Sequence, residues 1–209
     1  MSDRARGVYR LLGWPRFYEA FQQVLGARAL RKRFVDDFLR PFSGARLLDV
    51  GCGPGSLLAD LPSGVEYIGF DVNPRYIEEA QRRYRGRGRF FCASIEEGLP
   101  GLGQNTFDFV VARSLLHHLN DEEANQLLAS ARRHLRPGGT FVSSDPTFHD
   151  GQSVMARAVI SFDRGRHVRS PEAYRSLAEG SFDSVEMRVI QGALRIPYSH
   201  CVMIAKSSA

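Results

Sequence analysis

Long hydrophobic runs are missing from this chain of 209 residues. No apolar stretch approaches the roughly 20 residues that a bilayer-crossing helix needs, so none of it reads as a membrane span. Cysteine is scarce as well. Cys52, Cys92 and Cys201 are odd in number, widely spaced and form no C-x-x-C pair, which argues against a disulfide framework and against a zinc site. The opening "MSDRARGVYR" has no apolar core of the signal-peptide kind. A cytoplasmic enzyme is therefore the expectation. Lysine is nearly absent too: Lys32 and Lys206 stand against 26 arginines, a bias to which we attach no function.

The net charge of +5 would suggest a nucleic-acid partner if it were spread along the chain. It is not. Residues 1–41 hold nine Lys/Arg against four Asp/Glu, and the remainder balances at 19 against 19. The excess belongs to an N-terminal arm. With 43% hydrophobic and 24% charged residues, the rest has the composition of an ordinary globular domain with a sizeable core.

What the chain does have is alternation. Residues 14–40 carry apolar side chains at helical spacing and predict one or two helices. Strands are then predicted at about 45–51, 65–71, 88–93, 106–112 and 139–145, with helices at about 74–85 and 121–136. The second helix starts after Asn120-Asp121 and stops at Pro137-Gly138-Gly139. Two more strand-like runs, "FDSVEMRVI" and "HCVMIAK", close the chain. This order implies an α/β fold with a mainly parallel sheet covered on both faces. Residues 146–181 break the alternation, and insertions after a strand's C-terminal end are where such folds build substrate sites.

The stretch "RLLDVGCGPGSLLADL", residues 46–61, places three glycines in five positions directly after a strand. Gly51, Gly53 and Gly55 let the chain turn sharply and a ligand approach the backbone. A dinucleotide fingerprint needs its third glycine at position 56, where Ser56 stands, and a phosphate-binding P-loop needs a Gly-Lys-Ser/Thr that is missing. The remaining pattern, "LLDVGCGPG", closely resembles motif I of the class I S-adenosyl-L-methionine (SAM)-dependent methyltransferases. "YIGFDVNP", "FDFVVARSLLHHLNDEEA" and "LRPGGTFVSSD" resemble further segments of that family's small-molecule branch, typified by ubiquinone-biosynthesis enzymes.

That resemblance implies a Rossmann-like, seven-stranded, mainly parallel sheet with an N-terminal helical arm (1–43), a SAM-binding core (44–145), an inserted segment after strand five (146–181) and C-terminal strands (182–209). It implies SAM as cofactor and S-adenosyl-L-homocysteine as product. Asp49 and the Gly51–Gly55 backbone are expected near the methionine part, and Asp71 on the ribose hydroxyls. Val72 is expected beside adenine and the Arg113 main chain near the methionine amino group. The family often ends strand three in an Asp that touches adenine; here "FFCASIEE" offers Ser94 or the Ile95 backbone instead.

His117 and His118, in the loop after strand four, are candidates to deprotonate or orient the acceptor, although packing explains a loop histidine equally well. With no third ligand nearby in sequence they do not read as a metal site. Trp14, Phe17, Tyr18 and Phe21 are candidate lining of an acceptor pocket roofed by the arm and the insertion. In "DRGRHVRS", residues 163–170, Arg164, Arg166 and Arg169 surround His167 and would suit an anionic acceptor, or else a solvated loop. The expectation is methyl transfer to a small, anionic metabolite, with no membrane insertion and the oligomeric state open. The alternatives are an RNA methyltransferase, motivated by "RRYRGRGR" at 82–89, and a non-catalytic SAM-binding protein. The arginine run ends a helix expected to return to the strands' N-terminal edge, opposite the cofactor site, which disfavours RNA.

Overall fold

The computed structural model describes residues 27–93, 103–162, 165–192 and 196–206. Helix α1 (Ala27–Arg33) runs into a wider π-helical turn, Phe34–Leu39, before the first strand. There follow β1 (Arg46–Val50), β2 (Glu66–Asp71), α2 (Pro74–Arg83), β3 (Gly88–Cys92), β4 (Phe107–Arg113) and α3 (Asp121–His134). The chain continues through β5 (Leu135–Pro146), α4 (Val154–Ser161), α5 (Pro171–Glu179), β6 (Ser184–Gln191) and β7 (Ser199–Lys206). One seven-stranded sheet results, in the order β3-β2-β1-β4-β5-β7-β6, parallel except that β7 runs antiparallel to both neighbours.

The period-two pattern of the strands explains why helices cover both faces. Leu48, Val50, Ile68, Phe70, Val110 and Ala112 point to one face, where Leu127, Leu128 and Ala131 of α3 and Tyr174 of α5 meet them. Leu47, Tyr67, Val111 and Val142 point to the other, against Phe34, Val35, Leu57, Leu58 and Ile77. Because β1, β2, β4 and β5 are parallel, their C-terminal ends Val50, Asp71, Arg113 and Pro146 share one edge of the sheet. The antiparallel pairing brings His200 and Gln191 to that same edge. The site is built there.

One boundary departs from expectation. Strand β5 begins at Leu135 rather than 139, and α3 stops at His134. Leu135 pairs with Phe107, then the register shifts so that Thr140 pairs with Phe109, and Pro137-Gly138-Gly139 form a bulge inside the strand. The segment after β5 also holds two helices of its own, α4 and α5. The arginine run lies on the far edge: Gly88 pairs with Tyr67 at the strands' N-terminal ends, whereas Cys92 pairs with Asp71. There Arg82 pairs with Glu79 at 2.6 Å and Arg83 lies over the Tyr84 ring.

Helix α3 starts directly after the histidine turn and carries a capping box. The Asn120 side chain accepts from the Glu123 N–H at 3.0 Å, and the Glu123 carboxylate accepts from the Asn120 N–H at 2.8 Å. Asn120→Ala should cost about 1 kcal/mol, a fall in Tm of roughly 2–4 °C for a chain of this size. Calorimetric melting checks this; an unchanged Tm would mean the cap does not hold the helix start.

Candidate cofactor and acceptor site

The glycine loop is held from below. Gly51 N–H and Cys52 N–H both donate to the Phe70 carbonyl, at 2.9 and 3.0 Å, so β1 hands over to the loop without losing β2. Gly53 N–H donates to Asp71 Oδ2 at 2.9 Å, Gly55 N–H donates to the Cys52 carbonyl at 3.1 Å, and Pro54 has no N–H. The other Asp71 oxygen accepts from Asn73 N–H at 2.9 Å. Every N–H from Gly51 to Gly55 is therefore spent inside the protein. A phosphate-binding loop works the other way, by aiming free N–H groups at its anion.

The three glycines serve different purposes. All have positive φ: 69°, 55° and 73° at Gly51, Gly53 and Gly55. A Cβ at Gly53 would meet nothing within 4 Å, which leaves open space above the loop. At Gly51 it would press on the Leu115 side chain at 3.1 Å. At Gly55 it would strike the Phe90 ring at 2.8 Å, so the bareness of Gly55 answers to packing against β3. Of the three, Gly53 is the one that borders open space.

Two carboxylates line the loop. Asp49 is buried on β1 and accepts a hydrogen bond from the Tyr67 hydroxyl at 2.5 Å. Desolvation pushes its pKa up to about 6, against the opposing pull of that hydroxyl and of the Arg113 charge. Burial also raises Asp71, opposed by its backbone N–H donors from Asn73 and Gly53. Arg113 sits at the end of β4 with its guanidinium 5.3 Å from the centre of the Phe34 ring, tying the helical arm to the site. Val72, directly after Asp71, is 69% exposed, an apolar surface beside the carboxylate that is expected on ribose. A cationic nucleoside with an apolar base matches this lining; a phosphate does not. The residues present fit SAM.

The two histidines part company. His117 is 3% exposed, and its Nδ1 lies 2.9 Å from Oδ1 of Asp145, which its backbone N–H also approaches at 3.3 Å. His118 is exposed and stacks on His117 with ring centres 4.1 Å apart. Gly165 covers the buried ring so closely that a Cβ there would lie 2.0 Å from His117 Cδ2. Asp145, itself 1% exposed, was not picked out from the sequence. Its signal was its position at the end of β5, beside the end of β4, which only the strand order reveals. Ser114 was missed for a similar reason: it follows β4 with φ 51°, a left-handed conformation rare for a residue with a side chain.

Arg169 requires a correction. Expected as an anion contact, it makes five internal hydrogen bonds: two to Asp121 Oδ1 and one each to the carbonyls of Leu116, Leu119 and His167. A guanidinium has five N–H donors, so nothing remains for an acceptor. It clamps the histidine turn to the segment before α5, helped by His167 N–H donating to the His117 carbonyl at 3.0 Å. His167 and Arg169 border an open cavity of about 640 Å³ beside α3 and α5, with Asp121, Asn125 and Leu177. Arg166 is exposed. Trp14, Phe17, Tyr18, Phe21, Ser94, Ile95 and Arg164 lie outside the described residues. Among the described residues no cluster of three or more His, Cys, Asp or Glu could hold a metal ion, and no helix is long and apolar enough to cross a membrane.

An open parallel sheet whose first loop is donor-free, glycine-rich and lined by carboxylates defines a nucleoside-cofactor domain of the methyltransferase kind. Residues 47–139 match the family described as methyltransferase domain, and the chain is similar to the class I SAM-dependent methyltransferases. It is 29% identical over 163 residues to a ubiquinone biosynthesis O-methyltransferase of Cereibacter sphaeroides, covering 71% of this chain and 64% of that one. The chain thus spans just under two thirds of the length of that curated relative. Among solved structures, phosphoethanolamine N-methyltransferase 2 of Haemonchus contortus shares the fold with a TM-score of 0.74 at 16% identity, over 93% of this chain and 58% of that one. The [4+2]-cyclase SpnF shares it with a TM-score of 0.68 at 15% identity, over 86% and 80%.

Two outcomes follow for the carboxylates. Asp71→Ala should weaken SAM binding about tenfold to a hundredfold, the worth of hydrogen bonds to a charged group. Calorimetric titration of the folded variant measures it, and unchanged affinity would remove Asp71 from the site. Asp49 tests the electrostatics. Its folded pKa of about 6 lies above the ordinary 3.8, so between those values the folded state binds more protons than the unfolded one. Stability of the ligand-free protein therefore falls as pH rises from about 4 to 6. Asp49→Asn should match wild type near pH 4 and exceed it by roughly 3 kcal/mol above pH 6.5. Denaturant melts across that range would show it, and a pH-independent difference would contradict the raised pKa.

Proposed function

We propose that the protein transfers a methyl group from SAM to the hydroxyl of a small-molecule acceptor. The observation that carries the donor is the loop in which every N–H from Gly51 to Gly55 is internally bonded while Asp49 and Asp71 line it. Such a surface repels phosphate and favours a ligand bearing an ammonium and a sulfonium. Asp71 would hold the ribose hydroxyls, Val72 the adenine face, and Asp49 with the Arg113 main chain the methionine end. When bound, SAM supplies a methyl group whose C–S electron pair leaves with sulfur as a neutral thioether while the acceptor's lone pair makes the new bond to carbon.

Such a reaction asks the protein mainly for alignment. A hydroxyl acceptor also has a proton to lose, and a histidine of the turn after β4 would take it. The hydroxyl class rests on the presence of that histidine pair and on the name of the O-methyltransferase relative. A salt-dependent anionic acceptor keeps only Arg164 and Arg166 of its expected contacts, because Arg169 is committed elsewhere. RNA is disfavoured by the place of the 82–89 run on the sheet's opposite edge.

Native mass spectrometry for retained cofactor, then incubation of the protein and SAM with fractionated metabolite extract, tests the reading. S-adenosyl-L-homocysteine should accumulate with one fraction, together with a product heavier by one methyl. His118→Gln should lower that turnover while leaving SAM affinity nearly intact, since His118 is exposed. SAM binding without turnover in any fraction would favour the non-catalytic alternative.

A further inference from the structure

We infer that Tyr67 is a positioning residue for the cofactor: its hydroxyl fixes the Asp49 carboxylate in place and keeps it charged, which favours a cationic ligand at the glycine loop. This rests on the SAM reading above. The bond runs diagonally across the sheet. β1 and β2 pair Leu47 with Tyr67 and Asp49 with Gly69, so the tyrosine stands two residues before the position opposite the carboxylate, on the same face. Its hydroxyl nevertheless donates to Asp49 Oδ2 at 2.5 Å, with both residues 2% exposed.

That reach depends on two glycines. A Cβ at Gly69 would lie 2.9 Å from the Tyr67 ring and 2.9 Å from Cys52 Sγ. One at Gly88 of β3 would lie 3.0 Å from the ring. Neither glycine is among those with positive φ, so what both supply is space rather than an unusual backbone. With Gly69 bare, the lane from Tyr67 to Asp49 stays open; with Gly88 bare, the ring has room beside Phe90, whose centre lies 5.5 Å away. The "YIG" of β2 thus works as one device, a tyrosine and the missing side chain it reaches across.

A carboxylate buried this far is driven toward its neutral acid, which gives little to a cation. The groups that face Asp49 are Tyr67 and Asp71 of β2, Arg113 of β4 and Cys52 of the loop. Burial pushes the Asp49 pKa up to about 6, and the Tyr67 hydroxyl is the strongest force against it, ahead of the Arg113 charge; the Asp71 charge adds to the rise. Tyr67 and Cys52 are themselves raised, first by burial and next by the Asp49 charge, so both stay protonated at physiological pH. A charge retained there acts on a cation above the loop through a weakly screening interior, without needing contact. Open space begins close by, at Gly53.

Tyr67→Phe tests this, because it removes one oxygen and keeps the ring that fills the slot. ¹³C NMR of protein carrying ¹³C-aspartate, with Asp49 assigned by loss of its signal in Asp49→Asn, should give a midpoint of about 6 in ligand-free wild type. In Tyr67→Phe the midpoint should rise by about one to two pH units, the equivalent of one hydrogen bond to a charged group. Calorimetric titration with SAM at several pH values gives the second readout. A bound cation favours the charged carboxylate, so affinity falls as pH drops below the ligand-free midpoint. Tyr67→Phe should therefore nearly match wild type at about pH 8.5 and bind SAM about fivefold or more weakly at about pH 6. An Asp49 midpoint that ignores Tyr67→Phe, or an affinity loss equal at every pH, overturns the inference, since a ring that merely packs would behave so. A midpoint that moves as expected in a protein that binds no SAM at any pH would sink the SAM reading instead.

Discussion

A single carboxylate, Asp71, joins the end of β2 to the loop that follows β1, and the glycine loop takes its shape from that bond. One oxygen takes the Gly53 N–H and the other the Asn73 N–H, each at 2.9 Å. The first bond fixes the loop against its neighbour strand at the point where the space above Gly53 opens. The second fixes the turn into α2, so that Val72 is left facing outward. A side chain already oriented by two backbone donors pays little to meet a ligand, and its remaining lone pairs are available without rearrangement. Its cost is desolvation, visible in the raised pKa.

The opposite end of the site is organised by a second carboxylate. Asp145 stands to β5 as Asp71 stands to β2: each lies near the C-terminal end of a parallel strand and reaches toward the element after a neighbouring strand. Around the histidine turn the clamp of Arg169 supplies what hydrophobic packing cannot. The Leu116 carbonyl already accepts from the Leu119 N–H, and Arg169 adds a donor to it and to the Leu119 carbonyl beyond the turn. The arginine that the sequence offered as an acceptor contact is thus a structural part of the turn that carries His117.

Much of this was legible beforehand, because local chemistry set it. Strand-loop-helix periodicity located β1, the glycine loop and β2 within a residue or two, and with them Asp49, Asp71 and Val72. The exclusion of a dinucleotide rested on Ser56 at one position; the internal bonding of the loop N–H groups gives the same answer by a physical route. What could not be read was anything depending on strand order or on the path of the chain between distant segments. Asp145 is unremarkable in "SSDPTF" until β5 lies beside β4. Arg169 looks like any loop arginine until 48 residues of chain fold back and place Asp121 against it. Gly55 illustrates a subtler limit, since its φ was foreseeable but the pressure of Phe90 against it was not.

The fold by itself does not choose a reaction, as a cyclase and an N-methyltransferase with the same sheet make plain. The choice has to come from charge and protons at the edge where the strands end. There the lining is acidic on the cofactor side, with Asp49 and Asp71 both held above the usual carboxylate range by burial. A cation placed beside them would relieve that penalty and an anion would add to it. At the other end of the edge the buried Asp145 carboxylate sits behind His117, 2.9 Å from its Nδ1 and within reach of its backbone N–H. Burial thus shapes both ends of this edge: it raises the cost of charge at Asp49 and Asp71, and it holds Asp145 against the His117 ring.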